Sequence, residues 1–135
     1  MKQGAKILIV DDEPMVRQSI KMMLKFVGYE AEAAENGQTA LAMLSEKPFD
    51  LVITDYSMPD LRGDQLVAQI RERFPDQKII MATAFVEEYK VFGQPSTSIN
   101  ALLTKPFSIE DLTKTVEQVL SQESPGLVST GYRFR

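Results

Sequence analysis

The sequence predicts an α/β fold in which a five-stranded parallel sheet carries helices on both faces. Three observations predict it. Short β-branched and apolar runs at residues 7–10, 29–34, 51–54, 78–82 and 101–104 are each too brief for a helix. The stretches between them mostly carry apolar residues at helical spacing, and such alternation builds right-handed β-α-β units that cover the two sheet faces in turn. Acidic residues and their potential partners also recur just beyond these runs: Asp11 and Asp12, Asp55, Thr83 and Lys105. Parallel strands point their carboxyl ends at one edge, so the four positions read as a single acidic crevice with one lysine.

Ile7 to Val10 is apolar at every position, as expected of a strand buried on both faces and placed near the sheet centre. Pro14 suits the first turn of a helix whose buried stripe is Val16, Ile20, Met23, Leu24 and Val27, and Gly28 ends it. The second strand alternates Tyr29, Ala31 and Ala33 with Glu30 and Glu32, a polar pattern that suits a sheet edge. Asn36-Gly37 marks the turn after it, Ala40, Leu41 and Leu44 share one helical face, and Pro48 stops that helix before the third strand.

A loop containing Pro59 and Gly63 leads to a helix bearing Leu66, Ile70 and Phe74, closed by Pro75. Beyond the fourth strand, Gly93 and Pro95 interrupt any helix begun at Val86, which predicts a short or distorted fourth helix. Ser108 and Asp111 form a capping-box pattern before a last helix with Leu112, Val116, Val119 and Leu120 as its buried stripe. From Ser121 the chain turns polar. Residues 1–122 are therefore expected to form the folded domain and 123–135, ending Tyr132-Arg133-Phe134-Arg135, a flexible tail or linker.

Composition narrows the chemistry. The chain has 135 residues, 44% of them hydrophobic, enough for one core and too few for two domains. A net charge of -4 argues against direct nucleic-acid binding, which needs clustered cations. No apolar run approaches the ~20 residues that span a bilayer, and no secretory leader is visible, so a cytoplasmic protein is expected. With no histidine and no cysteine, the chain has neither a Ser-His-Asp triad, nor a thiolate nucleophile, nor a nitrogen- or sulfur-ligated zinc. Carboxylates, hydroxyls and lysine remain. Asp11, Asp12 and Asp55, gathered at the strand ends, repel one another unless a cation neutralises them, and oxygen donors suit Mg2+. An aspartate beside such a cation can act as a nucleophile toward phosphorus and form an acyl phosphate, with Lys105 compensating charge.

Four motifs in order carry a family resemblance: Asp11-Asp12 within ILIVDDEP, Asp55-x-x-Met58-Pro59 with Gly63 beyond it, Thr83-Ala84, and Lys105-Pro106-Phe107. Over roughly residues 5 to 122 the chain resembles a response-regulator receiver domain of two-component signalling. The resemblance implies the doubly wound, flavodoxin-like strand order 2-1-3-4-5. It also implies that Asp55 accepts a phosphoryl group from a partner histidine kinase or histidine phosphotransfer protein. Asp11, Asp12, Asp55 and the Ser57 carbonyl would hold Mg2+, and Thr83 and Lys105 would contact the phosphoryl oxygens. A cis Lys105-Pro106 peptide orienting the lysine is implied as well. Lacking histidine, the chain carries no phosphohistidine of its own, so the donor is another protein or a small acyl phosphate. The output partner is not specified by these motifs.

Two departures from the family pattern bear on signalling. Leu102 stands where receivers carry Tyr or Phe, which puts the usual aromatic readout in question or reflects plain strand packing, and Gly93-Gln94-Pro95 interrupts a face commonly used for output. Ser57 and Phe85 hold positions that border the path of attacking water in the family, and Phe85 is expected to exclude solvent and lengthen the life of an acyl phosphate. Two rival readings remain at this point. A magnesium-dependent phosphohydrolase also uses an aspartyl nucleophile but needs a second aspartate where Ser57 stands. A degenerate receiver would act as a phosphorylation-independent docking domain.

Overall fold

The computed structural model describes residues 4–84 and 99–122. The expected fourth helix, Phe85 and the segment 123–135 lie outside the described residues. Within them the elements run β1 (Lys6–Val10), α1 (Pro14–Phe26), β2 (Glu30–Ala34), α2 (Gly37–Glu46), β3 (Leu51–Thr54), α3 (Gly63–Arg73), β4 (Ile79–Thr83), β5 (Ala101–Thr104) and α4 (Ile109–Leu120). The five strands form one parallel sheet in the order β2-β1-β3-β4-β5. The doubly wound, flavodoxin-like arrangement is thus observed, with the polar second strand at an edge.

Strand periodicity sorts the core into two layers, because alternate side chains leave opposite faces of the sheet. Ile7 and Ile9 of β1 and Leu51 and Ile53 of β3 join Ile20 and Leu24 of α1 and the α4 stripe Leu112, Val116, Val119 and Leu120. Leu8, Val10 and Val52 face the other way, against Ala40, Leu41 and Leu44 of α2 and Leu66, Val67 and Ile70 of α3. The expected stripes of α2 and α4 are buried throughout, whereas Val16, Met23 and Val27 of α1 are only partly covered.

Local signals end the helices as their chemistry requires. Gly28 adopts φ 104°, and the Gly28 and Tyr29 N–H groups return to the carbonyls of Lys25 and Leu24 at 3.1 and 3.0 Å, a Schellman closure of α1. Asn36 Oδ1 accepts the Thr39 N–H at 2.8 Å to cap α2. Ser108 Oγ accepts the Asp111 N–H at 3.0 Å while Asp111 Oδ2 accepts the Ser108 N–H at 3.3 Å, so the capping box read from sequence opens α4. Some boundaries shift: β1 begins at Lys6 rather than Ile7, β2 at Glu30 rather than Tyr29 and α2 at Gly37 rather than Thr39, and β4 runs one residue later than expected, taking in Thr83. At the amino-terminal end of the sheet, Lys78 Nζ donates to the carbonyls of Leu120 and Gln122, and buried Asn100 donates to Gln122 Oε1 at 2.9 Å, tying the end of α4 to β4 and β5.

Candidate functional site

Strand pairing continues one residue past the ends of β1 and β3 and so brings their aspartates together. The Asp55 N–H donates to the Val10 carbonyl at 2.9 Å, and the Asp11 N–H donates to Ala34 at 3.2 Å. Both residues flank the point where the strand order reverses, between β1 and β3, where open α/β sheets form their crevices. Carboxylate oxygens of Asp11, Asp12 and Asp55 all lie within 4.8 Å of one another. Lys105, just past β5, enters from the far side: its Nζ is 2.7 Å from Asp11 Oδ2 and 3.5 Å from Asp55 Oδ2. The Lys105-Pro106 peptide is cis, as the resemblance implied.

Two of the three carboxylates, those of Asp11 and Asp55, are further held by backbone donors. Asp11 Oδ1 accepts the Glu13 N–H at 3.0 Å and Asp55 Oδ1 accepts the Tyr56 N–H at 2.8 Å. The Asp11 carbonyl accepts Arg17 Nη1 at 2.8 Å. Asp55 is 8% exposed, and burial pushes its carboxyl up from the ordinary aspartate range to about 6; the Lys105 ammonium opposes this, the Asp11 charge adds to it, and the N–H groups of Tyr56 and Ser57 pull back down. One lysine shared by two carboxylates thus leaves Asp55 undercompensated. Three carboxylates of hard oxygen donors in that state fit a divalent cation such as Mg2+.

The loop after β3 is shaped by a close approach. A Cβ at Gly63 would lie 2.2 Å from the Asp55 carbonyl oxygen and 2.7 Å from Tyr56 Cα, and the Gly63 N–H donates to the Tyr56 carbonyl at 2.7 Å. Only glycine lets the start of α3 press against the backbone that carries Asp55. Asp64, buried in the first turn of α3, is held in a forked pair by Arg62 at 2.9 and 3.0 Å.

Of the residues singled out from sequence, Asp11, Asp12, Asp55 and Lys105 converge directly. Thr83 is fully buried at the end of β4, and its carbonyl accepts the Lys105 N–H at 3.0 Å, joining the two strand ends. Ser57 is exposed two residues beyond Asp55. Leu102 is buried within the layer formed with α2 and α3, the packing role weighed for it above. Sequence reasoning missed Arg17. The available signal was a helix start at Pro14, which puts residue 17 in the first turn, next to the acidic pair.

An apolar groove of about 450 Å3 opens beside the crevice, lined by Met15, Val16 and Met23 of α1 and by Lys105, Pro106 and Phe107 after β5. Met15 is 82% exposed and Met22 and Phe26 continue the exposed apolar face along α1. No helix among the described residues is long and apolar enough to cross a membrane.

A flavodoxin-like sheet with an oxygen-donor crevice at its switch point, closed by one lysine, defines a class of doubly wound α/β domain. The family model for the response regulator receiver domain matches residues 7–117, and the chain belongs to that family, a component of two-component signalling. It is similar to chemotaxis protein CheY-3 of Vibrio cholerae, at 30% identity over 90% of this chain and 96% of that protein. It is also similar to the phosphate regulon transcriptional regulatory protein PhoB of Pseudomonas aeruginosa, at 36% identity over 91% of this chain and 55% of the larger regulator. Among solved structures, response regulator TrrA of Thermotoga maritima in complex with Mg(2+)-BeF superposes with a TM-score of 0.77 at 34% identity, covering 85% of this chain and 98% of that one.

Proposed function

We propose that this receiver domain is a phosphoacceptor switch in which Asp55 takes a phosphoryl group from a phosphohistidine on a sensor kinase or phosphotransfer protein. The observation that supports it best is the convergence of Asp11, Asp12 and Asp55 within 4.8 Å, with Lys105 bridging Asp11 and Asp55. Asp11, Asp12, Asp55 and the Ser57 carbonyl would hold Mg2+, which when bound supplies neutralisation of charge on the transferring phosphoryl oxygens.

An ionised Asp55 oxygen attacks phosphorus, the new P–O bond forms as the P–N bond to the donor imidazole breaks, and the leaving nitrogen keeps its electron pair and takes a proton from solvent. Lys105 moves its hydrogen bond from the carboxylates to the phosphoryl group, and the Thr83 hydroxyl, at the neighbouring strand end, donates to a phosphoryl oxygen. These shifts alter the surface around the ends of β4 and β5, which is the output of the switch.

The groove next to Lys105 supplies apolar footing for a protein donor at the mouth of the crevice, so a protein and a small acyl phosphate reach Asp55 by different contacts. Residues 1–122 act as the receiver unit, with 123–135 as a tail or linker, in a cytoplasmic setting. The chemistry is a single transfer to the protein's own side chain followed by slow hydrolysis rather than turnover of a substrate.

The test is intact-mass analysis after incubation with Mg2+ and acetyl phosphate. One phosphate is expected on wild type and none on Asp55→Asn; equal labelling of the variant would refute the assignment.

A further inference from the structure

Four hydrogen bonds converge on Asp11, and one of them has no place in the chemistry above. Its N–H, its Oδ1 and its Oδ2 are occupied by Ala34, Glu13 and Lys105 respectively, while its carbonyl oxygen accepts Arg17 Nη1 at 2.8 Å. Arg17 is partly buried in the first turn of α1, so its guanidinium reaches back over the turn that presents Asp11 and Asp12. Three carboxylates converge on that turn, and α1 offers no acidic residue in its first turn and no side-chain cap on its first N–H groups. Mutual repulsion of the carboxylates opposes that geometry, and the Arg17 bond holds the turn from the helix side.

We propose that Arg17 is a positioning residue that holds the Asp11-Asp12 turn in its cation-binding geometry through the Asp11 carbonyl. This rests on the reading of the acidic crevice as a Mg2+ site. The two effects of an arginine here have opposite signs, which makes the idea decidable. As a bare positive charge near the site, Arg17 repels a divalent cation, and its removal strengthens binding. As a brace, it spares the ligands the entropy of being ordered, and its removal weakens binding. The direct 2.8 Å bond to a backbone carbonyl within the ligand turn favours the brace.

The experiment is calorimetric titration of Mg2+ into wild type, Arg17→Gln and Arg17→Lys, with urea unfolding of each protein. Arg17→Gln is expected to bind roughly three- to tenfold more weakly, the order of one ordinary net hydrogen bond. Arg17→Lys, which keeps a donor within reach of the carbonyl, recovers part of the loss. Urea midpoints for the metal-free proteins stay close together, since the effect lies in the turn and not in the core. Equal or tighter binding by Arg17→Gln overturns the proposal, as does an Arg17→Lys variant no better than Arg17→Gln. Failure of wild type itself to bind Mg2+ sinks the metal-site reading instead, and so is told apart from failure of the brace.

Discussion

Lys105 Nζ stands 2.7 Å from Asp11 but 3.5 Å from Asp55, so the crevice's lysine rests on a carboxylate other than the proposed acceptor. The arrangement suits the proposed transfer. A lysine locked onto Asp55 would have to be torn away from the nucleophile, whereas one resting on Asp11 leaves Asp55 accessible and needs to swing only a short way to meet an incoming phosphoryl group. Replacing Lys105 by Met removes the main influence that lowers the Asp55 pKa. The carboxyl is expected to titrate above its wild-type value of about 6, and labelling by acetyl phosphate at pH 7 to slow by roughly tenfold or more. Carbon-13 shifts of the Asp55 carboxyl across pH check the first; the labelling time course checks the second.

The raised pKa of Asp55 also makes stability depend on pH. Folding favours the protonated carboxyl, so its contribution is fully present below the ordinary value of 3.8 and is lost as pH rises through about 6. At pH 7 the ionised group therefore destabilises the metal-free fold, by at most about 3 kcal/mol. Asp55→Asn should be more stable than wild type at pH 7 and above, with the advantage vanishing below about pH 4. Mg2+ should narrow the gap by stabilising wild type selectively. Thermal unfolding at several pH values, with and without Mg2+, decides it; a variant no more stable at pH 7.5 than at pH 3.5, relative to wild type, contradicts the burial argument.

Gly63 has no room for a methyl group, because the Asp55 carbonyl oxygen, Tyr56 Cα and Met81 Sδ all lie within 3 Å of where it would stand. Two of these neighbours are backbone and cannot turn aside. Gly63→Ala is expected to destabilise the domain by about 1–3 kcal/mol in urea and to impair acceptance of phosphate beyond what the stability loss explains, because the backbone that yields is the one carrying the proposed acceptor.

If the groove beside Lys105 seats a protein donor, as proposed, a substitution on its rim should separate the two classes of donor. Met15 is highly exposed on its rim and touches no part of the acidic cluster's hydrogen bonding. Met15→Glu should reduce transfer from a phosphorylated protein donor by roughly tenfold, by burying a charge against apolar surface. Labelling by acetyl phosphate should remain within about twofold. Equal losses with both donors would show that the substitution damaged the crevice and not a docking face.

At the opposite end of the sheet, Asn100 joins four segments: its Oδ1 accepts the Ile79 N–H at 2.8 Å and Arg71 Nη2 at 3.3 Å, and its Nδ2 donates to Gln122. Asn100→Ala leaves these groups without that partner and should destabilise the domain by about 2 kcal/mol. Amide exchange is expected to rise in the last turn of α4 before it rises in β1. Uniform acceleration across the sheet would instead mean that the cluster supports the whole fold.

Much of this protein could be read from residue order. The strand runs, the stripes of α2 and α4, the Gly28 closure and the Ser108-Asp111 box are local, set by side-chain period and by capping groups a few positions apart, and they appear in the structure near where the pattern put them. The gathering of Asp11, Asp12, Asp55 and Lys105 was legible for a similar reason, since parallel strands must end on one edge. Tertiary structure alone decided the rest. That Lys105 bonds Asp11 across 94 positions in preference to Asp55, that Arg17 reaches a backbone carbonyl, and that burial holds the Asp55 carboxyl near 6 all depend on distances of a few ångströms and on lost solvation. Those quantities arise only when segments remote in the chain are packed together, and no periodicity along it encodes them.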